Sequence, residues 1–130
     1  MSISRTIQGD TLILEDSKTG DRVLIREKIS GKSALIAPAG RLTAEMVHDL
    51  EDELTSILFI CSKIVIDMKS VQSISNTVIN SFLNVQHMVD SREGKMILIG
   101  VDDPVWEKFK ALHLEEVFII ERVQQTQEIQ

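Results

Sequence analysis

Ser73, Ser75, Asn76 and Thr77 stand in the segment Val71-Gln-Ser-Ile-Ser-Asn-Thr-Val78, directly before apolar residues at helical spacing. The first N–H groups of a helix have no acceptor within it, and its dipole favours negative charge. Hydroxyl and amide side chains at such a place suit bound anions, phosphates or the oxygens of a protein partner. Ser75 or Asn76 can serve simply as the helix cap, a side-chain oxygen accepting a backbone N–H. A hydroxyl here can also be a phosphorylation site, since a helix start tolerates the added charge while the local surface changes. Spacing alone does not separate these roles.

Other reactive residue types are less well placed. Gly31-Lys32-Ser33 ends like a phosphate-binding loop, but Arg26 occupies the place of the first glycine and a strand follows, so a β-turn is expected. His48, His87 and His113 are scattered, and Cys61 lies among apolar residues as a buried thiol would. No catalytic residue, metal site or cofactor is expected, because no nucleophile, base and orienting group come together. Asp102-Asp103 suit the cap of a helix in which Trp106 and Phe109 fill the core.

Elements that would position the polar turn follow from the apolar pattern. Thr11–Glu15 and Arg22–Arg26 read as a hairpin around the turn formers at 16–21. Residues 34–37 form a further strand that Pro38 and Gly40 should end, and Thr43 can cap a helix with Val47, Leu50, Leu54, Ile57 and Leu58 on its buried face. The acidic residues Glu45, Asp49, Glu51, Asp52 and Glu53 lie largely elsewhere on that helix, as a solvated face or a docking surface for a basic partner. Lys63–Met68 has the composition of a central strand covered on both faces. A second helix over about 76–91, a strand at 96–99, a third helix after Pro104, and a strand over Val117–Ile120 complete the alternation. Glu121–Gln130 reads as a polar tail or frayed helix. The expectation is an α/β fold with a mixed sheet of about four to six strands, helices packed on it and an N-terminal hairpin. Residues 1–130 should be one domain, with a core over about 22–120 and an N-terminal strand extension over 1–21.

A net charge of −6 and a pI near 5.0 argue against non-specific binding to nucleic acid or anionic lipid. A lone cysteine and no leader pattern point to a cytoplasmic setting, and no apolar run is long enough for direct membrane insertion.

The run Val65-Ile-Asp67-Met-Lys-Ser-Val71-Gln-Ser-Ile74-Ser-Asn-Thr-Val78, with Gly94-Lys-Met-Ile-Leu-Ile-Gly100 and Ala111-Leu-His-Leu114-Glu-Glu-Val-Phe118, resembles the sulfate transporter and anti-sigma factor antagonist (STAS) domain family. Gly40-Arg41-Leu42 is similar to that family's Gly-x-Leu turn. The resemblance implies a non-enzymatic bacterial module that acts by partner switching with an anti-sigma factor or a serine/threonine protein kinase, under control of phosphorylation at the start of the second helix. Asn76 occupies the usual phospho-acceptor position and Thr43 replaces a frequent aspartate, so a phosphate gate would have to move to Ser75 or Thr77. His113 replaces a late glycine. Ser75, Asn76, Thr77 and Thr43 are therefore the expected partner surface. The alternative is a structural STAS subunit of a signalling scaffold or a membrane transport complex, with the N-terminal hairpin pairing copies into a homo-oligomer.

Overall fold

Short β-branched runs joined by tight turns fold the N-terminal third into an antiparallel meander. In the computed structural model, which describes residues 2–123, the meander comprises β1 (Ile3–Gln8), β2 (Thr11–Asp16), β3 (Arg22–Ser30) and β4 (Ser33–Leu42). The expected hairpin is β2–β3. β1 lies in the expected strand extension over 1–21 but is not distinguished within it by the sequence, because every residue in it except Ile3 is exposed and no buried alternation marks it.

From β4 onward the strands run parallel. β5 (Lys63–Asp67) adds to β4, then β7 (Lys95–Val101) and β8 (Ile119–Arg122) follow, while β6 (Val71–Ile74) pairs only with the end of β4. The connections are α1 (Val47–Leu58) from β4 to β5, α2 (Asn76–Ser91) from β6 to β7, and α3 (Asp103–Ala111) from β7 to β8. This is the expected mixed α/β architecture, but the sheet has eight strands, more than expected. The extra pair is β1 and β6, the latter lying inside the segment expected to be a turn.

Each crossover advances the same way through the sheet, so the right-handed rule sets all three helices on one face. Inward residues of that face, among them Ile36, Ile64, Ile66 and Leu98, join Leu54, Phe82 and Phe109 in a single apolar cluster. Among the described residues no helix lies over the opposite face, contrary to the two-sided cover expected for β5.

Two local differences have simple causes. Pro38 and Gly40 do not end β4, which continues to Leu42. The Gly40 N–H bonds the Ser70 carbonyl at 3.1 Å, and by strand alternation the nitrogen of Pro38 points to that same edge. There it falls between the last β5 partner at Ile36 and the first β6 partner at Gly40, where no ladder bond is missed. Gly40 itself, at φ 127°, is needed because a Cβ would stand 2.6 Å from the Arg22 carbonyl oxygen. The last strand begins two residues later than expected, since Phe118 is buried edge-on against Phe109, with ring centroids 5.3 Å apart. Glu121 and Arg122 belong to β8, and residues 124–130 of the expected tail lie outside the described residues.

The meander is tied to α1 through charge. Arg5 of β1 donates to Glu53 of α1 at 2.8 Å, and Glu27 of β3 shares a hydrogen bond with the same Glu53. Burial, then the Glu53 contact, pushes the Glu27 carboxyl up to about 8. Burial would also raise Glu53, but the hydrogen bonds from Glu27 and Arg5 and the Arg5 charge outweigh it and hold Glu53 low. Asp10 lines the same shallow cleft.

Folding therefore takes up a proton at Glu27, and stability falls as pH rises from the ordinary value of 4.5 towards about 8. Glu27→Gln keeps the hydrogen bond without the proton. Its stability, followed by thermal unfolding, should match the parent's near pH 4.5, exceed it increasingly up to pH 8, and level off at a gain of about 1 kcal/mol, small because solvent screens a half-exposed pair. A difference that does not change with pH would refute this account of the pair.

Candidate functional site

The polar segment is built by two parallel strands that end side by side. Leu42 of β4 pairs with Ile74 of β6, and the Ser75 N–H continues the ladder to the Leu42 carbonyl at 2.9 Å. Thr43 and Ser75, distant in sequence, are thus brought together as the residues that leave the two strand ends. Both keep extended backbone: Thr43 at φ −95°, ψ 163° and Ser75 at φ −79°, ψ 156°. From there the chain turns into a helix on each side.

Ser75 is the cap of α2. Its Oγ accepts the Val78 N–H at 3.2 Å and its carbonyl accepts the Ile79 N–H at 3.1 Å. Asn76 and Thr77 form the first turn with exposed side chains, and helix geometry leaves their N–H groups without acceptors inside α2. Val78 and Ile79 are fully buried and hold this turn against the core. Two free donors, an amide and a hydroxyl are displayed on a fixed backbone.

Thr43 behaves differently from its expected role. It precedes a short 3₁₀ turn, Ala44–Met46, and makes no side-chain cap; α1 begins only at Val47. Its Oγ1 is buried without a hydrogen-bond partner among the described residues. The Met46 N–H is satisfied by the Thr43 carbonyl instead, at 3.1 Å, and the buried Met46 pins the turn to the core.

Sequence reading missed Lys108. From α3 its Nζ donates to the Ile74 carbonyl, one residue before the cap, so a half-buried ammonium stands beside the α2 start. No acidic residue occupies the first turn of α2, and the local field is therefore positive from both the dipole and the lysine. Lysine at this spacing on α3 looks solvent-facing in the sequence, and only the packing of α3 beside β6 gives it a partner. The expected Asp102 cap is present, accepting the Val105 N–H at 3.1 Å.

Cys61 is buried, His48 and His87 are on α1 and α2, and His113 follows α3 with a left-handed φ of 58°. Trp106 is partly buried on the core with the Arg122 guanidinium 4.9 Å from its ring centre, and Arg122 also pairs with Asp103.

Comparison with known proteins identifies the family and the fold. The STAS domain model matches residues 25–128. The chain belongs to the STAS domain family. No curated protein sequence matches it significantly. Among solved structures, a putative anti-sigma factor antagonist of Thermotoga maritima, TM1081, superposes with a TM-score of 0.69 at 18% identity over 75% of this chain and 85% of that one. The anti-sigma factor antagonist SpoIIAA in its unphosphorylated form gives 0.68 at 12% identity, covering 78% and 89%. The phosphorylated form of SpoIIAA, a Bacillus cell fate determinant, gives 0.63 at 12% identity, covering 78% and 92%. At these identities the likeness is one of fold. No helix among the described residues of this STAS domain is long and apolar enough to cross a membrane.

The cap carries a stability consequence. Ser75→Ala should lower stability by about 1 kcal/mol, and Ser75→Asp, which can still accept the Val78 N–H, should keep most of it. Thermal unfolding of both variants measures this; equal losses would show that Ser75 does not act through its cap bond.

Proposed function

We propose that this STAS domain is a non-enzymatic, cytoplasmic partner-switching module of the anti-sigma factor antagonist kind, whose partner is an anti-sigma factor or a serine/threonine protein kinase. The observation that carries the reading is the exposed α2 start, with Asn76 and Thr77 offering free N–H groups and polar side chains on a backbone fixed by β4 and β6. It is the same fold that SpoIIAA has in its phosphorylated and unphosphorylated forms. The Ser75 hydroxyl oxygen is engaged with a backbone N–H and not with a base, which suits recognition better than nucleophilic catalysis. Thr43, beside Ser75, borders this surface, with its hydroxyl buried beneath it.

If a phosphate gates the partner, Thr77 is the better acceptor. Its hydroxyl is on an exposed side chain, whereas Ser75 is half-buried and its Oγ already holds the cap. Asn76 has no hydroxyl to modify. Phosphate at Thr77 would be stabilised by the helix dipole and Lys108 while adding nearly two charges to the contact surface.

A pull-down with the cognate anti-sigma factor or kinase tests this. Thr77→Glu should weaken capture at least tenfold, Asn76→Ala should weaken it less, and Thr77→Ala should leave most of it. Unchanged capture by Thr77→Glu and Asn76→Ala together would remove the α2 start from the contact.

A structural role in a scaffold or transport complex is the second reading, favoured by β1. This strand ends the sheet, and its outer edge pairs with no other strand among the described residues. Light scattering across a concentration series should show self-association on this reading; a strict monomer at high concentration counts against it.

A further inference from the structure

The sheet face away from the described helices carries a row of apolar side chains. Parallel strands usually have both faces covered, and β5 and β7 set Val65, Ile97 and Ile99 on the side away from the helices. Strand register aligns Leu35, Val65, Ile97 and Ile119 in one row across four strands. Leu35 is 41% exposed and Ile119 47%, with Val65 and Ile97 half-buried between them. Next to the row, Leu24, Ala37 and Ala39 line a shallow cleft of ≈ 350 Å³.

Charge selects the occupant. Lys28 is opposite Leu35 across β3 and β4, and Arg26 opposite Ala37. Lys63 and Lys95 are paired with each other and precede Val65 and Ile97 by two residues, so they share the same face. None of these four cations has an ion-pair partner among the described residues. Alternation adds Arg22, Glu15, Asp67 and Glu121 to the face, and Asp67 is already in contact with Lys69 at 3.6 Å. The surface is basic in a chain whose net charge is −6. A two-fold contact between copies would set these lysines against their own counterparts, a like-charge arrangement that costs affinity. The row offers no aromatic platform for stacked bases.

We propose that the open sheet face binds an acidic amphipathic helix of a protein partner, its apolar stripe along Leu35, Val65, Ile97 and Ile119 and its carboxylates on Lys28, Lys63 and Lys95. Strands about 4.8 Å apart make the row roughly 14 Å long, which matches about ten residues of helix at 1.5 Å each. The partner's apolar residues would recur three and four apart. The surface is on the far side of the sheet from α2 and does not depend on the α2 start.

The test is a titration of the isotope-labelled full chain, followed by NMR, with a synthetic helical peptide of about 14 residues bearing leucines three and four apart and glutamates beside them. Shift changes should concentrate on Leu35, Val65, Ile97 and Ile119. The double variant Lys63→Glu/Lys95→Glu should bind at least tenfold more weakly with its remaining spectrum unchanged, and a lysine version of the peptide should bind no better than that variant. Absence of shifts on this face at millimolar peptide, or equal binding of the lysine version, overturns the proposal. So does a response of the same residues to phosphatidylserine vesicles but not to the peptide, or a dimer through this face that excludes the peptide.

Discussion

Strand β4 pairs with β3 along most of its length but divides its other edge between β5, up to Ile36, and β6, from Gly40. That division requires a residue that lacks an N–H at the gap and another that lacks a Cβ beside Arg22, and Pro38 and Gly40 supply them. Without it β6 would have no ladder, Ser75 would have no Leu42 carbonyl to bond, and the start of α2 would not stand next to Thr43. The chain uses a backbone irregularity to build a rigid corner. A corner of this kind holds exposed groups in fixed directions without burying them.

Much of this architecture was legible because apolar spacing reports burial on one face. The period of Ile79, Phe82, Leu83, Gln86 and Val89, widened by Val78 and Val85, gives α2, and the bounded runs at 63–68 and 96–99 give the two central parallel strands. What stayed hidden has physical reasons. β1 buries almost nothing, so its pattern is silent. β6 is four residues long and consists of the same polar types that make turns, and its identity depends on a β4 edge that only the tertiary structure creates. Thr43 looks like a cap because threonine before an apolar period usually is one, yet a 3₁₀ turn comes between. The candidate residues Ser75, Asn76, Thr77 and Thr43 do come together, but Lys108 joins them from an element whose packing could not be read from spacing.

The distribution of charge follows the same division of the molecule. Acidic residues crowd the helical side, where Glu53 and Glu27 are close enough to share a proton and Arg5 offsets part of their repulsion. Basic residues collect on the bare side of the sheet. The half-buried Asp21, held below the usual carboxylate range by its bonds from Arg41 and Thr19, clips the β2–β3 turn to the end of β4. The net charge of the chain therefore conceals two surfaces of opposite preference.

Lys108 is not idle while the α2 start is unoccupied. Its ammonium is bonded to the carbonyl of Ile74, so an incoming anion at Thr77 must either accept the charge from a distance or draw the lysine away and leave that carbonyl exposed. In the second case the helix carrying Lys108 feels the exchange, and that helix also bears Asp103 and Trp106, the two contacts of Arg122 on the last strand. A single side chain thereby links the corner at the start of α2, through α3, to the C-terminal edge of the sheet.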